Sequence, residues 1–226
     1  MHPVVRDFVE DVIAAVPLPD PIFEFGAMQV EEEQNTDLRP LFAGRPYVGT
    51  DFREGPGVDR VEDLRALTLE DGEVGTAICL ETLEHCEDPI SASRELTRVV
   101  ADGGACVVSA PMLIGIHGYP QDYFRYTPEA FRSMFGGFDD VWAIGYGDPA
   151  IPQWTFGVAV KGRRLDLSLE RMPRLAAHQE RFDRAEGRFR IGPFHIPPAE
   201  LAKSLARQLP RVVRERAAQL GARRAR

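Results

Sequence analysis

Two stretches constrain the fold of this chain more than any others: "EVGTAICL" (73–80) and "ACVVSAP" (105–111). Each is apolar throughout and of strand length, without the alternation expected of a strand with one face in water. Such runs suit strands buried on both faces of a parallel sheet covered by helices. Between them, residues 89–100 read as a helix that starts with proline in its first turn and stops before "ADGG". The same alternation extends from about residue 4 to 162. Val4, Val5, Phe8, Val9, Val12, Ile13 and Val16 fall at helical spacing, and Pro17 ends the pattern.

"PIFEFG" reads as the first strand, "NTDLRPLF" as a short helical turn, and "PYVGTD" as a second strand ending on an acid. "GVDRVEDL" offers a short third strand, and "TPEAFRSMF" a helix capped by Thr127 with Pro128 at its first position. "DDVWAIGYG" and "WTFGVAVKG" have no helix-length segment between them, so they are expected to close one edge as an antiparallel pair. The fold class is therefore α/β, a Rossmann-like three-layer sandwich. After Lys161 the pattern changes to Arg-rich helical segments broken at 192–198. We expect a domain over 1–162 and a basic helical extension over 163–226.

Residues 1–160 carry 10 Lys and Arg against 28 Asp and Glu, whereas 161–226 carry 17 against 7. An acidic body is a poor general binder of nucleic acid, whose phosphates demand cations. The basic tail suits either an anionic partner or its own body. No apolar run approaches the ~20 residues needed to span a bilayer. The N-terminus lacks the basic start of a signal peptide. The three cysteines (Cys79, Cys86, Cys106) lack paired spacing, and free thiols in a reducing cytoplasm are expected.

In a sheet of this kind ligands bind beyond the carboxyl ends of the strands, where the chain order reverses. Gly26 follows the first strand and permits a tight turn. Asp51 ends the second strand, where a carboxylate can accept hydrogen bonds from both hydroxyls of a ribose. Asp63 and Leu64 follow the third, suited to an exocyclic amine and a purine face. "LETLEHCEDP" follows the fourth strand and "MLIGIHGYPQDYFRYT" the fifth. A nicotinamide enzyme is disfavoured, because Gly-x-Gly-x-x-Gly and Tyr-x-x-x-Lys are both absent and the only lysines are Lys161 and Lys203.

Together, "FEFGA", "YVGTDFREGPGVDRVEDL", "AICLETLEHCEDP" and "LTRVVADGGACVVSAP" resemble the class I S-adenosylmethionine-dependent methyltransferases of the type 11-like branch, over about residues 20–162. The resemblance implies a seven-stranded sheet in the order 3-2-1-4-5-7-6, with strand 7 antiparallel, and S-adenosylmethionine as cofactor. It implies that Glu24, Gly26 and Ala27 lie beside the methionine part. Asp51 would hold the ribose, with Phe52 and Arg53 close by, and Asp63 and Leu64 would face the adenine. Leu80 and Glu81 would line the floor near the sulfonium. The family's second glycine falls at Met28, and Gln29, Gln34 or Asn35 are expected to replace the lost backbone contacts. Glu31–Glu33 are expected to face solvent.

Methyl transfer needs alignment and, for oxygen or nitrogen nucleophiles, removal of a proton. A free histidine, with a pKa of about 6.5, can accept one near neutral pH. His117 and Asp122 are the candidate bases, with His85 a third that can instead have a structural role. Tyr119, Tyr123, Arg125 and Tyr126 on the same loop are candidate contacts to a polar substrate with an apolar part; the alternative is a loop that only packs over the site, with Arg125 and Asp122 paired to each other. The expected acceptor is an O or N nucleophile of a small-molecule or sugar-containing metabolite. The alternative is a non-catalytic module keeping the fold to bind a partner. Cys86, His85 and His117 lack the spacing of zinc ligands, so no metal is expected. Oligomeric state is not legible.

Overall fold

The computed structural model describes residues 2–29, 37–118, 121–184, 189–191, 194–196 and 202–203. The expected contacts at Gln34 and Asn35, the acids Glu31–Glu33 and the substrate contact at Tyr119 lie outside the described residues.

Seven strands form one sheet: β1 (Ile22–Phe25), β2 (Tyr47–Asp51), β3 (Arg60–Val61), β4 (Val74–Leu80), β5 (Val100–Pro111), β6 (Asp140–Gly147) and β7 (Pro152–Val160). Their order is β3-β2-β1-β4-β5-β7-β6, with β7 antiparallel to both neighbours and the others parallel. β4 is buried at every position, which accounts for its unbroken apolar run.

Helices α2 (Pro89–Val99) and α3 (Pro128–Met134) cover one face. On that side Leu96, Val99, Phe131 and Phe135 join Phe23, Phe25, Ala77, Cys79, Cys106 and Val108 in one core. Helix α1 (Pro3–Ala15) covers the other, where Phe8 stacks on Phe156 with ring centroids 4.6 Å apart. Each helix starts where its cap dictates. The Asp88 carboxylate accepts from the Ser91 amide (3.0 Å) and the Thr127 hydroxyl from the Ala130 amide (3.1 Å), with Pro89 and Pro128 in the first turns. Between β1 and β2 the described chain holds only a 3-10 turn, Arg39–Phe42.

The compact body runs Met1–Glu180, so the expected boundary at 162 falls inside it. Asp11 of α1, fully buried, accepts from the Leu175 amide (2.9 Å) and pairs with Arg174, and Asp7 meets His178 Nε2 at 2.6 Å. These contacts hold the first turns of α4 (Pro173–Arg184) on α1. The second unit, Arg181–Arg226, departs from the all-helical expectation. It contains an antiparallel pair, β8 (Phe189–Ile191) with β9 (Phe194–Ile196). Aromatic and β-branched residues in "FRI" and "FHI" favour strands over helix.

Cys79, Cys86 and Cys106 are free thiols, and burial pushes Cys79 and Cys106 well above the usual thiol range. No described helix is long and apolar enough to cross a membrane.

Candidate functional site

The ends of β1, β2, β4 and β5 converge at one edge of the sheet. After β1 the chain turns at Gly26, whose φ of +85° lies in the left-handed region. The amides of Gly26 and Ala27 both donate to the Thr50 carbonyl (2.8 and 2.9 Å), clamping the turn to β2. A Cβ on Gly26 would lie 2.0 Å from Thr82 Oγ1. The space above Gly26 is thus filled by a side chain from the loop after β4. Thr82 is a residue the sequence reading missed. Met28, standing where the family has its second glycine, is accommodated by glycine elsewhere: a Cβ on Gly55 would meet Met28 Cε at 2.8 Å, and one on Gly57 the Ala27 carbonyl oxygen at 2.5 Å. The Gln29 amide donates to the Pro56 carbonyl (2.9 Å), so 27–29 and 55–57 form one packed unit.

Asp51, half-buried at the end of β2, lies beside the backbone amides of Met28, Arg53 and Phe52, which favour its charged form, yet its Oδ1 is buried with no hydrogen-bond partner. Burial raises its pKa against the opposing effect of those amides. An oriented carboxylate with a spare acceptor suits hydroxyl donors such as a ribose diol. Phe52 is exposed and carries the Arg53 guanidinium over its ring at 5.1 Å.

Asp63 differs from expectation. Both oxygens are engaged by Arg65, through Nε (3.0 Å to Oδ1) and Nη2 (2.7 Å to Oδ2), and this hydrogen bonding lowers its pKa. An adenine amine would compete with Arg65 for it. Leu64 packs partly against the core.

Leu80 ends β4 buried, and Glu81 follows with φ +49°, a strained conformation for a residue with a Cβ. Its carboxylate accepts from Ser109 Oγ (2.8 Å) and Trp154 Nε1 (2.9 Å), which over-determine the turn. Burial raises its pKa. Next comes a 3-10 turn, Leu83–His85. The Glu84 side chain is fully buried, and neither oxygen has a hydrogen-bond partner among the described residues. Burial, reinforced by Glu81, pushes its pKa well above the usual carboxylate range. The sequence reading overlooked Glu84 and took "LEH" for its histidine.

The loop after β5 folds over this turn. The amides of Tyr123 and Phe124 donate to the Glu84 carbonyl (2.8 and 3.3 Å), and His85 Nδ1 lies 2.5 Å from the Gln121 carbonyl. The His85 and His117 rings meet edge to face, with centroids 4.8 Å apart. The loop's charges are spent internally. Arg125 binds both oxygens of Asp122 (2.5 and 2.8 Å), which also accepts the His117 amide (2.8 Å). The Arg125 hydrogen bond holds the Asp122 pKa far below the usual range. Asp122 is therefore corrected from proton acceptor to an anchor of His117. Arg125 is corrected from substrate contact to a loop staple that also reaches the Phe124 and Ile114 carbonyls.

Tyr126 is likewise corrected. It is buried in the core, and its hydroxyl donates to the Leu83 carbonyl (2.8 Å). Tyr123 stays exposed beside a cavity of about 570 Å³ lined with Leu113, Ile116, Phe124 and their neighbours.

Glu24, on β1, is buried and accepts a hydrogen bond from the Tyr47 hydroxyl. Burial raises its pKa to about 7 from 4.5, the Tyr47 bond opposing the rise. A carboxyl raised on folding holds its proton longer in the folded state, so stability falls as pH climbs from about 4.5 through about 7. The loss approaches 3 kcal/mol, at about 1.4 kcal/mol per pKa unit. Glu24→Gln should therefore flatten the profile. Urea unfolding at pH 5 and pH 8 should show wild type losing about 3 kcal/mol more than the variant between the two. Parallel profiles for the two proteins would remove Glu24 as the titrating group.

Residues 45–108 match the sequence model of a methyltransferase domain family. No curated protein sequence matches the chain. Solved structures do. A chain of the Haloferax volcanii complex of the Trm112 methyltransferase activator with a protein assigned as a methyltransferase aligns at TM-score 0.51 and 14% identity, covering 70% of this chain and 90% of that one. A Thermotoga maritima S-adenosylmethionine-dependent methyltransferase aligns at 0.51 and 17%, covering 70% and 91%. Haemonchus contortus phosphoethanolamine N-methyltransferase 2, in complex with phosphomonomethylethanolamine and S-adenosylhomocysteine, aligns at 0.52 and 11%, covering 70% and 53%. At these identities the likeness is one of fold: a class I methyltransferase sheet, with strand 7 antiparallel.

Proposed function

We propose that this chain, whose fold is that of the S-adenosylmethionine-dependent methyltransferases, binds that cofactor and methylates an oxygen or nitrogen nucleophile of a small-molecule or sugar-containing metabolite. The observation that carries the reading is the buried, unpartnered Oδ1 of Asp51 beside the Gly26 turn. It offers the ribose a carboxylate acceptor whose charged form the neighbouring amides favour. Glu24 would face the methionine end, and Leu80 and Glu81 the floor. The relatives from Haemonchus contortus, of the same fold, are complexed with S-adenosylhomocysteine or S-adenosylmethionine.

The cofactor supplies a methyl group already activated by its sulfonium. The chain's part is to hold an acceptor in line and receive its proton. The cavity beside Tyr123 is of small-molecule size, and its apolar lining suits a metabolite with an apolar part. Proton acceptance at this end falls to His117 or His85, because Asp122 is bound to Arg125.

A second reading is favoured by Asp63, whose oxygens are already engaged by Arg65: a non-catalytic module of the same fold. Titration calorimetry separates the two. The enzyme reading expects one equivalent of S-adenosylmethionine and of S-adenosylhomocysteine bound per chain. Absence of heat for both at millimolar ligand would leave the module.

A further inference from the structure

We propose that Glu84, His85 and His117 form a binding site for a divalent transition-metal ion of the zinc class. Their ligating atoms all lie within 4.8 Å of one another. Glu84 Oε1 is 3.9 Å from His85 Nε2 and 4.0 Å from His117 Nε2. These separations are too long for hydrogen bonds and too short to be unrelated. A tetrahedral ion with bonds of about 2.1 Å separates its ligand atoms by about 3.4 Å, so the trio needs to close by roughly 0.5 to 1.4 Å.

The hydrogen bonds behind the rings point the same way. The Gln121 carbonyl beside His85 Nδ1 can only accept, so Nδ1 carries the hydrogen and Nε2 keeps its lone pair. His117 Nδ1 faces two acceptors, the Gly115 carbonyl at 3.2 Å and Asp122 Oδ2 at 3.4 Å, which leaves its Nε2 lone pair free as well. Two imidazole lone pairs and a carboxylate with no hydrogen-bond partner therefore face one point. Outer carbonyl and carboxylate bonds to ligating imidazoles are the usual way such rings are oriented toward a metal.

Glu84 supplies an independent reason. Its side chain is 0% exposed and both oxygens are unpartnered, while Arg125, the cation whose charge reaches it, is bound to Asp122. Leaving a carboxylate so placed costs free energy that a cation would recover. Two imidazoles and one carboxylate, with histidines about one-third exposed, match a catalytic type of site that keeps an open position. The site lies after β4 and β5, toward the expected acceptor end, but metal binding does not depend on methyl transfer.

The test uses the untagged full-length chain, dialysed against a chelator and titrated with Co²⁺ alone, followed by visible absorption and calorimetry. One equivalent should bind and give the d–d bands of a four- or five-coordinate ion. Zn²⁺ should displace it and bleach the bands. His117→Ala and Glu84→Gln should each weaken binding by about 100-fold or more, and Asp122→Asn, which weakens the contact behind the His117 ring together with the Arg125 staple, by about 10- to 100-fold. Wild-type protein that binds no Co²⁺ overturns the proposal without any variant. Binding that survives unchanged in a folded His85→Ala/His117→Ala double variant, with wild-type circular dichroism, overturns it equally.

Discussion

Asp51→Ala should weaken S-adenosylhomocysteine binding about a thousandfold, measured by calorimetry. A hydrogen bond to a charged group contributes about 1.5–3 kcal/mol, and a carboxylate meeting a ribose diol makes two. The midpoint of that sum, about 4.5 kcal/mol, is a factor of somewhat over a thousand in Kd. The carboxylate is well prepared for this role. Amides of Met28, Phe52 and Arg53 lie close and favour its charged form, and its Oδ1 is buried without a partner. Far-ultraviolet circular dichroism should not change, because Asp51 sits at a strand end outside the main core cluster. If wild type binds and the variant binds within threefold of it, Asp51 is not the ribose acceptor. If wild type does not bind at all, the enzyme reading itself fails, and the two failures are distinguishable.

Gly26→Ala should destabilise the fold by about 4 kcal/mol through two separable effects. Holding a residue with a Cβ in the left-handed region costs roughly 1–2 kcal/mol. Overpacking adds roughly 1–3 kcal/mol more, and here the new Cβ would lie 2.0 Å from Thr82 Oγ1 and 2.7 Å from Thr82 Cγ2. For a domain of this size the sum corresponds to a fall in Tm of about 8–16 °C. Thr82→Ala in the Gly26→Ala background removes both of those atoms. It should return part of the loss, leaving the backbone cost and the 2.9 Å approach of the position-82 Cβ. Equal melting temperatures for wild type and Gly26→Ala would mean that the turn relaxes and that Gly26 is not constrained as the packing indicates.

These two residues also show how far the sequence could be read. Gly26 was legible as a turn because it follows "PIFEF", but its glycine requirement comes from Thr82, 56 positions along the chain. Met28 looked like the loss of a glycine. The structure shows instead that Gly55, on the facing segment, leaves the room its side chain needs. In the loop after β5, the residue types were right for a polar site and their roles were not. Asp122 and Arg125 bind each other, and Tyr126 is in the core bonded to Leu83. Loop side chains have no periodicity to mark them as inward or outward, so their assignment needed the neighbouring turn. The short-range Asp63–Arg65 pair was within reach of the sequence, and its effect on an adenine contact was underweighted.

The sequence by itself determined the sheet: unbroken apolar runs demand burial on both faces, prolines and caps place the helices, and the missing helix before β7 forces an antiparallel pair. It also determined which strand ends carry acids. Only the tertiary structure decided which of those acids are free, because a short-range partner such as Arg65 is not enough to settle it: burial and the loops that fold over each carboxylate do. Thr82 over Gly26 and His117 beside Glu84 are contacts between loops, and Trp154 reaches Glu81 from β7. Burial then fixes their chemistry. It leaves Asp51 and Glu84 with unpartnered oxygens and removes Tyr126 from the surface.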